Sequence, residues 1–171
     1  MTLEKQENKT EKEAKSVRIW VDADACPKVI KEILFKAADR RKIHTYFVAN
    51  RTLYVPKSFY LHQVRVGEGA DVADAYIVQQ LKDYDIVITG DIPLAALVIE
   101  ASCVALSPRG SLFTKENIQE RLSIRNFADD LRGEGVMTGG SKPFSNKNKR
   151  IFAGAFDRIL TQKLNELKRL R

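Results

Sequence analysis

The stretch Arg18-Ile19-Trp20-Val21-Asp22-Ala23-Asp24-Ala25-Cys26-Pro27 joins a strand to two carboxylates and the start of a helix. Its apolar run predicts a strand that is covered on both faces. Asp22 and Asp24 are two positions apart, so in extended backbone their side chains point to the same side. Ligands bind at the carboxyl ends of strands in open α/β sheets, so two acids here predict a divalent-cation site or a proton-transfer site. The alternative is that Asp24 caps the helix and Asp22 is a loop acid; Pro27 fits the first helical turn in either case.

Strand patterns and helix patterns alternate along the rest of the chain. The predicted strands are residues 18–21, 43–49, 61–66, 85–89 and 104–106. The predicted helices are 27–40, 71–81, one that begins at Pro93, a Thr114-capped helix to 122, 127–132 and 150–170. This alternation predicts an α/β fold, a three-layer α/β/α sandwich around a mostly parallel sheet.

Two polar segments stand outside this pattern. Residues 1–16 mix Glu and Lys with almost no apolar side chains, which predicts a flexible charged tail. Residues 133–149 are rich in Gly, Ser, Asn and Lys, which predicts a mobile loop before a basic C-terminal helix. The expected organisation is therefore one domain over residues 17–171.

Composition excludes several classes of protein. The chain has 171 residues, of which 44% are hydrophobic and 30% charged, and it shows neither a membrane-length apolar run nor a signal-peptide pattern. Cys26 and Cys103 lie far apart without CxxC spacing, which argues against a disulfide framework or a zinc ribbon. We expect a cytoplasmic protein with no membrane partner. Cys26 is more typical of a small buried thiol than of a nucleophile.

The positive charge is concentrated at one end of the chain. The formal net charge is +7, and residues 141–171 contain nine Lys or Arg against two Asp or Glu, so this segment carries all of it. A basic segment on a neutral domain favours a polyanionic partner, nucleic acid first. The alternative is the solvated face of an amphipathic helix.

Five aspartates fall where strands end. Asp22 and Asp24 follow the first strand, Asp71 and Asp74 begin the helix after the third, and Asp91 follows the fourth. In a parallel sheet these ends share one edge, so the acids are expected to meet in one cleft. Crowded carboxylates call for a cation, and oxygen ligands suit Mg²⁺ or Mn²⁺. The competing interpretation is that Asp71 and Asp91 are N-caps and Asp74 is a first-turn acid favoured by the helix dipole.

Further polar residues are candidates for binding a substrate phosphate. Arg109 lies in the turn after the fifth strand and suits bidentate binding of phosphate, although a turn arginine can equally be solvated. The other candidates are Asn50 after the second strand and the basic residues Lys142, Lys147 and Arg150. His44 and His62 fall inside strands with no partner pattern, so a structural role is expected.

Several motifs together resemble a known family. They are residues 19–27, Gly69-Ala70-Asp71-Val72-Ala73-Asp74, Thr89-Gly90-Asp91-Ile92-Pro93-Leu94-Ala95 and Ser107-Pro108-Arg109-Gly110, with Thr138-Gly139-Gly140 and the phenylalanine-containing final helix. From about residue 17 to residue 164 the chain resembles the YaiI/YqxD family of bacterial proteins. Ser107 departs from the Asn expected there.

That family is functionally uncharacterised and is similar to the PIN-like nucleases, which hold Mg²⁺ or Mn²⁺ with clustered acids and cut RNA. The resemblance implies a PIN-like fold in which Asp22 is the metal acid of the first strand, Asp71 or Asp74 the helix acid, and Asp91 the acid after the fourth strand. At the position of Asp24, PIN-like proteins often have another polar residue. It supports the fold more strongly than the activity.

Three functions compete at this stage. The first is a Mg²⁺- or Mn²⁺-dependent ribonuclease or related phosphodiesterase, in which Asp22, Asp71 and Asp91 hold the ions and are catalytic. Asp24 and Asp74 would assist, and Arg109 and the basic C-terminal segment would steer the polyanion. The second is a haloacid-dehalogenase-type phosphatase, because Asp22-Ala23-Asp24 matches the DxD of that superfamily, although Cys26-Pro27 replaces its usual continuation. The third is a non-catalytic RNA-binding module in which the acids cap helices and the basic tail binds mainly through charge, since the chain lacks an aromatic stacking signature such as that of an RNA-recognition motif.

Overall fold

The computed structural model describes residues 16–69, 71–133 and 143–170, with side chains except those of 128–133. Six strands and five helices lie in these ranges. The strands are β1 (Ile19–Asp22), β2 (Thr45–Ala49), β3 (Leu61–Arg65), β4 (Ile86–Ile88), β5 (Val104–Leu106) and β6 (Leu112–Phe113). The helices are α1 (Lys28–Arg41), α2 (Val72–Gln80), α3 (Ile92–Glu100), α4 (Lys115–Gly133) and α5 (Asn146–Arg169).

All six strands form one sheet in the order β3-β2-β1-β4-β5-β6. The first five are parallel, and β6 pairs antiparallel with β5. Val21 is in register with Phe47 of β2 on one side and with Ile88 of β4 on the other. The order of strands along the chain therefore reverses beside β1, and such a switch point is where open α/β sheets bind ligands.

Helices cover both faces of the sheet. On one face α1 and α5 bury Leu34 and Phe156 against alternate strand residues such as Val21. On the other face α2 and α3 bury Ile77 and Leu94 in a second cluster, to which α4 contributes. Strand side chains alternate between the two clusters because their period is two. The predicted three-layer sandwich with a mostly parallel sheet is confirmed.

A buried aspartate fastens the amino end of the sheet. The Asp85 side chain is fully buried and accepts hydrogen bonds from Arg18 Nε and Nη2 at 3.1 and 2.7 Å. It also accepts from Trp20 Nε1 at 3.1 Å and from the Lys82 N–H at 2.9 Å. Four donors offset the cost of burying this charge. Asp85 is thus structural, and it lies at the end of the sheet opposite to the carboxyl edge.

The predicted elements differ from the structure in three places. The predicted helices at 114–122 and 127–132 are one continuous helix, α4, and β6 was not predicted. Helix α5 begins at Asn146, where the Ser145 side chain accepts from the Asn148 N–H at 3.3 Å, so residues 146–149 of the predicted loop 133–149 are helical. The predicted tail 1–16, apart from its last residue, and positions 134–142 lie outside the described residues. In the described part of the chain, no helix has the length and apolar character needed to cross a membrane.

Candidate functional site

Thr89 links the two aspartates at the switch point. Asp22 is the last residue of β1, and Asp91 follows the neighbouring strand β4 at the start of α3. The Thr89 hydroxyl donates to Asp22 Oδ2 at 3.0 Å and accepts from the Asp91 N–H at 2.9 Å. Because Thr89 is only 1% exposed, these bonds fix both acids at the carboxyl edge of the sheet.

Asp91 combines two roles. Its Oδ1 accepts the Leu94 N–H at 3.0 Å, so the prediction that Asp91 caps a helix is confirmed. Capping by this bond uses one of the two carboxylate oxygens. The charge of the same side chain also acts on Asp74, which lies in the first turn of α2, and raises its pKa. The cap therefore holds Asp91 in place beside a second carboxyl group.

The charges of the five predicted acids act on one another. Burial is the main cause that raises the pKa of Asp74 to about 7, followed by the charges of Asp91, Asp22 and Asp71. Burial also raises the pKa of Asp22, the Thr89 hydrogen bond lowers it, and the charges of Asp91 and Asp24 raise it again. Thr89 therefore places Asp22 and Asp91 together, and Asp24, Asp71 and Asp74 are near enough for charges to act between them and this pair or one another; these five residues are called the acid cluster below.

Neither Asp24 nor Asp71 caps a helix through its side chain. Asp24 Oδ2 accepts the Asn50 N–H at 2.8 Å, and Oδ1 lies 3.4 Å from Arg51 Nε, an ion pair without hydrogen-bond geometry. The expectation that Asp24 caps α1 is wrong, because Pro27 occupies the cap position. Asp71 occupies the N-cap position of α2, but its side chain makes no capping hydrogen bond. Asp24 instead fixes the chain that leaves β2.

The acid cluster suits a divalent cation by its chemistry, although it is not a closed cage. Within the described ranges, no three Asp, Glu, His or Cys side chains are arranged to hold a metal ion on their own. Mg²⁺ commonly keeps several waters and binds through one or two carboxylates and substrate phosphates. Asp22 and Asp91 fit this mode, because their oxygen donors lie in partly buried positions where like charges repel. Neutralising those charges would remove the repulsion that raises the pKa values of Asp22 and Asp74.

A cleft of about 390 Å³ is lined by chain neighbours of Asp24 and Asp91, but none of the five acids is among its lining residues. Gly90 lies on its wall next to Asp91, and Ala25 lies on its wall next to Asp24. The turn after β5 forms the other side, where the Ser107 hydroxyl accepts the Arg109 N–H at 3.1 Å. Ser107 therefore holds this turn despite its departure from the expected Asn. The remaining lining residues are Pro27, Pro108, Arg109 and Phe144, and the Arg109 guanidinium lies 5.9 Å from the centre of the Phe144 ring.

The candidate phosphate-binding residues lie in four different situations. Arg109 is in the cleft. Lys147 and Arg150 are exposed in the first turns of α5, which begins beside the same cleft because the Gly110 backbone lies close to that of Ile151 and Phe152. Asn50 is exposed, and its backbone N–H binds Asp24. Lys142 lies outside the described residues.

The sequence did not reveal three sets of contacts, which are made by Thr89, by Arg51 and by a pair of histidines. Thr89 and Arg51 bind acids from other elements, so only the strand order brings them there. His44 Nδ1 and His62 Nε2 are 2.8 Å apart and their rings stack, although no partner pattern was visible. Burial, followed by the charge of His44, lowers the pKa of His62. Cys26 is buried with its pKa raised to about 12, as expected for an unreactive thiol.

Comparison with known proteins gives the family. The family model described as "Uncharacterized BCR, YaiI/YqxD family" matches residues 20–162, which is most of the chain. The chain belongs to the YaiI/YqxD family.

Relatives of this YaiI/YqxD protein are similar over nearly their whole length. The UPF0178 protein of Desulfotalea psychrophila is 60% identical over 146 residues, which cover 85% of this chain and 99% of the relative. The UPF0178 proteins of Hydrogenovibrio crunogenus and Myxococcus xanthus are 55% and 51% identical over 85% of this chain and 97% and 95% of the relatives. No solved structure matches significantly. These names state no activity, so the function of this YaiI/YqxD protein is argued from its geometry.

Proposed function

We propose that this protein is a Mg²⁺- or Mn²⁺-dependent phosphodiesterase that cleaves nucleic acid in the manner of PIN-like nucleases, with RNA as the first candidate substrate. The observation that carries the proposal is the acid cluster at the switch point of the sheet. A protein that needs Asp91 only as a helix cap has no need of Asp74 beside it, where the pKa of Asp74 is raised to about 7. Carboxyl groups with perturbed pKa values are concentrated at functional sites.

Asp22 and Asp91 are the proposed ligands of the metal ion. Thr89 positions both of them through its hydroxyl group. A bound Mg²⁺ or Mn²⁺ supplies an activated water and stabilises charge on the phosphate under attack. Asp74, whose pKa of about 7 in the metal-free protein is raised first by burial, is the group proposed to exchange a proton with water at the site. Asp24 and Asp71 add negative charge at the border of the site.

The substrate is proposed to approach over the basic side of the cleft. A guanidinium group binds phosphate bidentately, and Arg109 lines the cleft next to the acid cluster. Lys147 and Arg150, exposed at the start of α5, add positive charge on the same side. Such charges attract a polyanion regardless of its sequence.

The alternative phosphatase mechanism requires Asp24 to act as an acid and base. In that mechanism Asp22 attacks phosphorus and Asp24 donates a proton to the leaving group. Asp24 is bound by the Asn50 N–H and paired with Arg51, so it would first have to leave these partners. Beryllium fluoride distinguishes the two mechanisms, because only an aspartyl-phosphate enzyme would bind it at Asp22.

Calorimetric titration with Mn²⁺ tests the proposed site. We expect the wild-type protein to bind, and Asp22→Asn and Asp91→Asn to lose binding. Both variants should fold, because Asn accepts the same hydrogen bonds and is as good an N-cap as Asp. Asp157→Asn, at an exposed acid of α5 paired with Arg41, is the matched control and should bind like wild type.

Titration and RNA cleavage then give clear outcomes. Manganese-dependent cleavage that is lost in Asp22→Asn and Asp91→Asn supports the nuclease. Metal-independent cleavage, or full activity in Asp22→Asn, contradicts it. Absence of Mn²⁺ binding both with and without a phosphorothioate RNA also contradicts it and favours the non-catalytic RNA-binding module.

A further inference from the structure

The connection between β2 and β3 carries an aromatic side chain that points into solvent. Residues 50–60 join these parallel neighbours without a helix, although such connections usually contain one. Leu53 and Val55 pack against the core on the face of α1 and α5. Tyr54 lies between them and is 83% exposed. Because its two neighbours are anchored, the Tyr54 ring is held outward.

A pocket of about 550 Å³ lies between this loop and α1. Phe35, Leu53 and Pro56 give it an apolar lining. Phe35 is held from below by Phe47, whose ring centre is 5.0 Å away. Tyr54 forms one side of the opening, so a flat ring entering the pocket would meet apolar surfaces and an aromatic face.

The opposite wall of the pocket is charged. Lys28 and Lys31 are three residues apart on α1, so they lie on the same face of the helix. Glu32 lies beside them and offers a hydrogen-bond acceptor. Two cations with one carboxylate complement a ligand that carries phosphate together with N–H donors.

The pocket adjoins the acid cluster. Lys28 follows Pro27, which lines the cleft that contains Arg109. The charge of Lys31 acts on the Cys26 thiol, beside the acids of β1. On the loop, Arg51 is paired with Asp24, and Tyr54 is three residues further, at most about 11 Å of extended chain. A chain of nucleotides with one phosphate at the acid cluster would thus have a neighbouring base within reach of Tyr54.

We propose that this pocket binds one unpaired nucleobase of a single-stranded nucleic acid, with Tyr54 as the stacking platform; the identity of the strand as a substrate rests on the proposed function. The volume is in the range of ordinary small-ligand sites. Lys28 and Lys31 bind the phosphates that flank the base, and Glu32 accepts a hydrogen bond from its N–H groups. A base inside a duplex is paired and stacked, so it cannot enter.

Fluorescence anisotropy with a labelled single-stranded RNA in EDTA tests the pocket without metal or cleavage. We expect Tyr54→Ala to lower the affinity of the full chain about tenfold, as is usual when one stacking aromatic is removed. Tyr54→Phe keeps the ring and should keep the affinity. The matched control is Phe59→Ala, because Phe59 is 75% exposed at the other end of the same loop.

A series of RNAs, each with one abasic position, identifies the base. One abasic position should weaken wild-type binding as much as Tyr54→Ala does, and should cause no further loss in Tyr54→Ala, because ring and base act as a pair. The same series in DNA shows whether the sugar contributes, and the duplex should bind with lower affinity. The proposal is overturned if wild type does not bind, if Tyr54→Ala binds normally, or if Phe59→Ala loses as much. It is equally overturned if every abasic position leaves binding unchanged. In that case the occupant of the pocket would be an apolar peptide side chain.

This experiment separates the pocket from the catalytic proposal. Asp22→Asn removes metal binding and cleavage but leaves Tyr54-dependent binding in EDTA. If RNA binding depends on Tyr54 but the protein never binds Mn²⁺, the pocket proposal stands and the nuclease proposal is refuted. If cleavage depends on the metal but RNA binding and cleavage are unchanged in Tyr54→Ala, the nuclease proposal stands and the pocket proposal is refuted.

Discussion

At the scale of single residues, the helix-capping role of Asp91 is compatible with the metal-binding role proposed for the same side chain. Asp91 uses Oδ1 to cap α3 and still interacts with Asp74 and Asp22. The sequence alone presented capping and metal binding as alternatives. The structure shows that capping restricts Asp91 to one orientation, which is what a positioned ligand requires. Thr89 restrains Asp22 in the same way.

The raised pKa of Asp74 predicts how the stability of the metal-free protein depends on pH. With a folded-state pKa of about 7 against 3.8 as the ordinary value, the folded protein binds more protons than the unfolded chain between these limits. The free energy of unfolding therefore falls as pH rises through this window, and the full penalty is present above about pH 7. Asp74→Asn removes the ionisation and leaves an uncharged side chain of nearly the same size.

Urea unfolding of wild type and Asp74→Asn near pH 5 and near pH 8 measures this effect. From pH 5 to pH 8, we expect the free energy of unfolding of Asp74→Asn to rise relative to that of wild type by on the order of 1 kcal/mol. This figure is reduced for solvent screening because Asp74 is half-buried. Titrating groups outside the acid cluster are common to both proteins and cancel in the comparison. A difference that does not change with pH would show that Asp74 ionises normally.

At the scale of elements, the strands followed from the sequence and the last two helices only in part. The short apolar runs of β1, β4 and β5 are flanked by polar turn residues, so their positions were predicted to within one or two residues. In α4, Ile124 and Phe127 are 61% and 65% exposed, and these outward apolar residues break the periodicity that marks a buried face. Strand β6 has two residues, too few for any periodic signal.

The packing of the β5 turn against α5 makes Gly110 essential. Its φ is +88°, and a Cβ at this position would lie 2.8 Å from the Ile151 carbonyl carbon and the Phe152 nitrogen. Because these are backbone atoms of a helix, no side-chain rotation relieves the clash. We expect Gly110→Ala to destabilise the protein by about 2 kcal/mol or more in urea unfolding and to weaken RNA binding, since the same turn carries Arg109.

Gly67→Ala is the matched control for Gly110→Ala. A Cβ at Gly67 would have no heavy atom within 4 Å, so this variant should unfold close to wild type. Equal stability of the two variants would mean that the turn and α5 can separate without cost.

At the scale of the whole molecule, the site prediction depended on one rule, that parallel strands end at the same edge of a sheet. Acids at the ends of parallel strands share an edge, so the proximity of Asp22, Asp74 and Asp91 followed from strand order. The pocket beside Tyr54 had no such rule. It depends on how an irregular loop packs on α1, and the alternation of Leu53, Tyr54 and Val55 is too short to be separated from a strand pattern.

The uneven charge of the molecule predicts a salt dependence that varies with position along α5. Lys147 and Arg150 lie at the end of α5 beside the Arg109 cleft, whereas Lys168 and Arg169 lie in its last turn. About 20 residues of helix separate the two pairs, roughly 30 Å. If the nucleic acid lies across the carboxyl edge of the sheet, only the first pair contacts its phosphates.

Affinity for single-stranded RNA measured across a salt series distinguishes the two ends of α5. Each phosphate contact contributes about 0.7 to the slope of log affinity against log salt for a single strand. The double variant Lys147→Gln, Arg150→Gln should therefore lower the magnitude of the slope by about 1.4. Lys168→Gln, Arg169→Gln removes the same charge far from the edge and should leave the slope unchanged. Equal losses in both variants would mean that the charge acts as a diffuse field over α5, and the path of the strand along the carboxyl edge would have to be abandoned.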